Sequence, residues 1–149
     1  MIHEALASVT AYMFADVTAN QRSGPVGAPR PPSAAVRAAL ERFTGLSRDV
    51  RGGAVLAEGR VLAATGDAAA WEPAARELIA AADAAAGESA VEAHVATENG
   101  EAYMLRDGGL EMVAVTDRFT LASLVLADMR ATLRQLRAEA APAATREAA

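Results

Sequence analysis

The sequence predicts an α+β domain: helix, two strands, helix, three strands, helix, with a five-stranded, mostly antiparallel sheet and helices on both of its faces. Three observations predict it. Tight-turn signals stand between consecutive apolar runs at Glu58-Gly59, Asn99-Gly100 and Asp107-Gly108-Gly109. Three longer segments repeat apolar residues at helical spacing. Every strand-to-strand link is then a hairpin except the one that crosses over the second helix, which makes the sheet mostly antiparallel.

The first helix follows Pro31-Pro32, with Ser33 as N-cap and Val36, Leu40 and Phe43 on its buried face, and runs to about Ser47. Val50–Ala57 and Arg60–Thr65 are short strands joined at Glu58-Gly59. The second helix lies between Asp67 and about Ala86, with Trp71, Ala75, Leu78, Ile79 and Ala82 as its stripe. Pro73 belongs in a first helical turn, so the regular helix is expected to begin near Glu72, and Gly87 ends it. Ala90–Thr97, Glu101–Arg106 and Leu110–Thr116 are the remaining strands. The last helix runs from about Thr120 to Ala138 and is expected to bury Leu121, Leu124, Val125, Met129, Leu133 and Leu136.

This domain spans 33–138. Ahead of it lies a linker, 21–32, holding four of the six prolines, a density that blocks both helix and central strand. Residues 1–20 are an appendage, helical or disordered: Ile2, Leu6, Val9, Met13 and Val17 recur as one helical stripe. Residues 139–149, with Pro142 and no periodicity, read as a disordered tail.

Composition narrows the function. The 149 residues suit one domain. Net charge is −5, against the clustered positive charge that nucleic-acid binding needs. There is no Cys, hence no disulfide, thiolate metal site or Cys nucleophile. No apolar run reaches membrane-spanning length and no basic signal-peptide start is present, so a cytoplasmic location is expected.

No catalytic constellation stands out. His3 and His94 have no second ligand at metal spacing. Gly52-Gly53 opens a strand and reads as a turn or bulge, not a phosphate cradle, and with no Lys in the chain there is no Walker-type loop. Glu72 and Arg76 form a favourable i,i+4 pair. Arg130, Arg134 and Arg137 make a basic stripe, read as a solvated helix face. No metal or cofactor is implied.

The second helix carries more alanines than one core face can take: Ala74, Ala75, Ala80, Ala81, Ala82, Ala84, Ala85 and Ala86. Small residues on two faces let another helix approach closely. The strand after it, Ala90–Thr97, pairs by hairpin on one side only, and a regular edge must be covered or paired. Pairing with a second copy of the chain meets both needs.

Residues 33–138 resemble the roadblock family, the dynein light-chain type with many bacterial members. The likeness rests on Gly53–Gly66 as the family's first hairpin, on Asn99–Arg106 and Leu110–Thr116 as its later strands, and on the closing Leu121–Leu136 helix. The resemblance implies a roadblock/profilin-like fold and a non-enzymatic homodimer, paired through the crossover helix and the strand after it into one continuous sheet. It further implies a scaffold or regulator of a small Ras-like GTPase docked on the paired helices. Trp71, Ala75, Arg76, Ala82, Ala86, Val91, Ala93, His94 and Val95 are the interface residues this selects. A small-molecule sensor on the same sheet-and-helix frame is the alternative, and an enzyme is disfavoured by the missing constellation.

Overall fold

The computed structural model describes residues 15–19 and 30–141. The stripe positions Ile2, Leu6, Val9 and Met13, the linker up to 29 and the tail from 142 onward lie outside the described residues. The elements are β1 (Ala15–Ala19), α1 (Ser33–Leu46), β2 (Val50–Ala57), β3 (Arg60–Ala64), α2 (Ala68–Ala86), β4 (Ala90–Thr97), β5 (Gly100–Asp107), β6 (Leu110–Thr116) and α3 (Ala122–Ala140).

Strands β2 to β6 are the five expected from the sequence, in the expected order, and all their pairings are antiparallel. A sixth strand joins them. The sheet order is β1-β4-β5-β6-β2-β3, with β1 antiparallel to β4. The appendage reading is therefore corrected over residues 15–19, which are neither helix nor disordered. Ala-Asp-Val-Thr-Ala alternates apolar and polar with period two and carries two β-branched residues. Pairing also satisfies the open backbone groups of β4.

The two faces of the sheet are covered differently. On one face α2 packs Trp71, Ala74, Ala75, Leu78, Ile79 and Ala82 onto Ala54, Leu56, Ala93, Val95, Met104 and Val113. On the other, α1 and α3 together bury Val36, Leu40, Phe43, Met129, Leu133 and Leu136 against Val55, Tyr103, Leu105 and Met112.

Local chemistry moves several boundaries. Helix α2 begins at Ala68, because Asp67 caps it by accepting from the Ala69 N–H at 3.0 Å; Pro73 therefore sits beyond the first turn, not within it. The N-cap of α1 is Pro32, with Ser33 already helical. Helix α3 starts at Ala122, which turns Leu121 (64% exposed) and Leu124 (59% exposed) outward and places Leu126 and Thr132 in the buried face instead. The β4–β5 turn is Glu98-Asn99 rather than Asn99-Gly100, since Thr97 pairs with Gly100. Position 100, in the ladder, requires glycine because a Cβ there would stand 2.5 Å from Thr116 O.

Candidate interaction surface

The segments singled out by the sequence, α2 and β4, lie side by side, but their residues divide between core and surface. Trp71, Ala75 and Ala82 are buried in the chain's own core. The Trp71 indole donates to Thr65 O at 2.8 Å. A side chain on Gly52 would collide with Thr65 Oγ1 (2.5 Å) and press on the Trp71 ring (3.0 Å), so this glycine is a packing requirement, set beside the register shift between Val50 and Gly52. These three interface candidates anchor the helix and are withdrawn from any surface. Ala93 and Val95 are likewise buried, through their side chains, under α2. The outer backbone edge of β4 is taken up by β1.

The outward side of α2 carries Arg76, Glu77, Ala80, Ala84 and Ala85, all exposed, with Ala86 half-buried. Arg76 is held in place: its Nε donates to Gly59 O at 2.6 Å and a terminal nitrogen lies 3.1 Å from Glu72 Oε1. Glu72 also accepts from the Val61 N–H at 3.3 Å. The pair expected from i,i+4 spacing thus ties α2 to the β2–β3 hairpin.

Beside Arg76 runs a groove of about 360 Å³, with Glu58, Ile79, Asp83, Arg106 and Glu111 among its walls. Its charges are mutually satisfied. Arg106 bonds Asp83 through two nitrogens (2.5 and 3.0 Å) and Glu111 through Nε (3.0 Å). Asp83 also accepts from the Ala90 N–H at 2.8 Å. Burial opposes the charge on Asp83, but the Arg106 hydrogen bonds, the Ala90 N–H and the Arg106 charge outweigh it, so its carboxyl titrates below the usual range. The arrangement fixes the end of α2 to the start of β4.

Val91, near the start of β4, is half-buried, and so is His94, on the face of the sheet opposite α2. The His94 ring stacks on Tyr103, centroids 4.5 Å apart, and its Nε2 lies 3.4 Å from Glu101 Oε1. Glu101 is a buried acid the sequence reading passed over. It accepts from the Thr120 N–H (3.0 Å), the Thr120 hydroxyl and the Tyr103 hydroxyl (3.2 Å). Burial raises its pKa; the Thr120 bonds, His94 and Tyr103 more than reverse that and hold it lowered. Tyr103 is raised, by burial first and by the neighbouring carboxylate. The network locks the loop ahead of α3 onto β5. Among the described residues no cluster of three metal-ligating side chains occurs, and no helix is long and apolar enough to cross a membrane.

No protein-family model matches the chain, and no curated protein matches it. Solved structures do. Myxococcus xanthus MglB superposes with a TM-score of 0.55 at 16% identity, over 70% of this chain and 86% of that one. The chain has the roadblock fold. The gliding protein MglB of Thermus thermophilus gives 0.54 at 20% identity over 82% and 98% of the two chains, and an MglB with a tetrameric arrangement gives 0.54 at 20% over 82% and 97%. Within this roadblock fold α2 is the crossover helix and β4 the strand that follows it.

Proposed function

We propose that the chain is a non-enzymatic, cytoplasmic homodimeric scaffold that binds and regulates a small Ras-like GTPase through the outward face of α2. The observation that carries this reading is the shared architecture with MglB, one of whose structures has a tetrameric arrangement. Three features of this chain agree with it. The exposed alanines of α2 leave room for close approach of a second helix. Arg76 and Glu77 border them as exposed charges. Neighbouring ionic groups are paired with one another, which suits a rigid docking face better than a reaction centre.

In the dimer Ala86, Val91, His94 and the backbone of Ala93 and Val95 meet the second copy, and Arg76 lies at the border of the partner site. Light scattering at micromolar concentration, followed by a pull-down from the native cell extract probed for a GTPase, tests the reading. Recovery of a nucleotide-loaded small GTPase with the wild-type chain, lost with Ala84→Arg, is the expected result. A monomer that captures no GTPase, but whose melting temperature rises with a metabolite, would replace this reading with the sensor.

A further inference from the structure

The edge through which the proposed dimer would extend its sheet is occupied by the chain itself. Strand β1 lies along β4 with Ala15 opposite Val95, Asp16 opposite His94, Val17 opposite Ala93 and Thr18 opposite Glu92. β4 can also pair with a second copy of itself, and the choice of register is restricted. A twofold axis through Ala93 sets Glu92 opposite His94 twice and Val91 opposite Val95 twice. An axis through Glu92 sets two carboxylates against each other, which cross-strand pairing disfavours, and an axis through His94 sets Glu92 opposite Ala96 instead of an imidazole. In the register about Ala93, the second copy would present Val91, Glu92, Ala93 and His94 to the positions now met by Ala15, Asp16, Val17 and Thr18. Both strands offer an apolar residue, an acid opposite His94, an apolar residue opposite Ala93 and a polar residue opposite Glu92.

We infer that β1 is a tethered stand-in for the β4 strand of a second subunit, and that it must leave the edge before two copies can join their sheets. This rests on the dimer reading above. The device is easily reversed: β1 has five residues, with a register shift between Thr18 and Ala19, and a Pro/Gly-rich segment connects it to α1. A strand on such a tether acts at an effective concentration on the order of millimolar, so it weakens self-association of the wild-type chain without abolishing it. A partner that bridges two α2 faces, or one that takes up β1, shifts the balance toward the dimer.

The test uses the full chain. Of two successive strand residues one directs its N–H to the neighbouring strand, so Val17→Pro with Thr18→Pro removes a β1–β4 bond in either phase. Sedimentation should show self-association at least about tenfold tighter in this variant than in the wild type. Adding Val95→Pro should abolish the gain. Since the chain contains no Cys, Val17→Cys with Ala93→Cys gives a second route that keeps β1 in place. Oxidised, this variant should stay monomeric with the edge closed, and reduction should restore the wild-type equilibrium. Ala93→Cys added to the proline variant should yield a disulfide-linked dimer through the twofold position. Equal association of wild type and proline variant would leave the dimer standing and overturn the stand-in role alone. Weaker association of the proline variant would place β1 inside the interface and overturn it too. A monomer in every variant would overturn both this inference and the dimer.

Discussion

The two faces of the sheet solve the same burial problem with opposite materials. Under α2 the core is mostly alanine and valine around one large anchor, Trp71, backed by Gly52. Under α1 and α3 it is Phe43, Tyr103, leucines from both helices and two methionines. One face sets a single aromatic anchor among small side chains, with Leu56, Leu78, Ile79 and Met104 around it. The other distributes its apolar burial, so that any one loss can be partly absorbed by flexible neighbours such as Met112 and Met129.

Removing the anchor should break the comparison most sharply. Trp71→Ala is expected to lower stability by about 3–5 kcal/mol in urea denaturation, since it removes the largest buried side chain, opens a cavity and leaves Thr65 O without its donor. Leu133→Ala on the other face should cost about 2–3 kcal/mol, the lower part of the range for such truncations, because its neighbours can close in. Equal losses at the two sites would refute the distinction.

A smaller effect, about 1–3 kcal/mol, is expected of Asp83→Ala, which leaves Arg106 with one acid partner and the Ala90 N–H with none. Acid should reproduce part of it. Asp83 and Glu101 both titrate below their unfolded values, so the unfolded chain binds more protons through the ordinary carboxylate range. Stability from these groups is present above that range and is lost as pH falls through it. Asp83→Ala should therefore flatten the acid limb of a stability–pH curve; an unchanged limb would exclude Asp83 from it. At the small end, Leu124→Ser should shift stability by no more than about 0.5 kcal/mol, because Leu124 is exposed at the start of α3.

The order of elements along the chain, the hairpins and the α2 stripe were legible in the sequence because each is a local pattern: a two-residue turn, a period, a glycine. The β2–β3 turn shows how direct this is, with Glu58 and Gly59 both at positive φ as a primed hairpin turn requires. The features that were missed are those decided at a distance. Val17 continues a helical stripe begun at Ile2, and only the open edge of β4 makes its five-residue neighbourhood a strand. Glu101 reads as a surface acid beside a turn until Thr120 arrives from the loop ahead of α3 and joins Tyr103, two residues along the same strand, around its carboxylate. Leu121 and Leu124 fit the apolar stripe of the last helix. Yet Thr120 is drawn into the Glu101 network, so Leu121 becomes the N-cap and Leu124 faces outward in the first turn.

The connectivity of the sheet also grades the entropic cost of closing its pairings. β4, β5 and β6 are consecutive and joined by two-residue turns, so this meander can close almost without loop entropy. β2 must then find β6, and β1 must find β4 across most of the domain. Loop-closure entropy thus makes β1, whose partner strand lies farthest along the chain, the costliest strand to add. Whenever β1 is unpaired, the β4 edge stands open to a strand from a neighbouring chain.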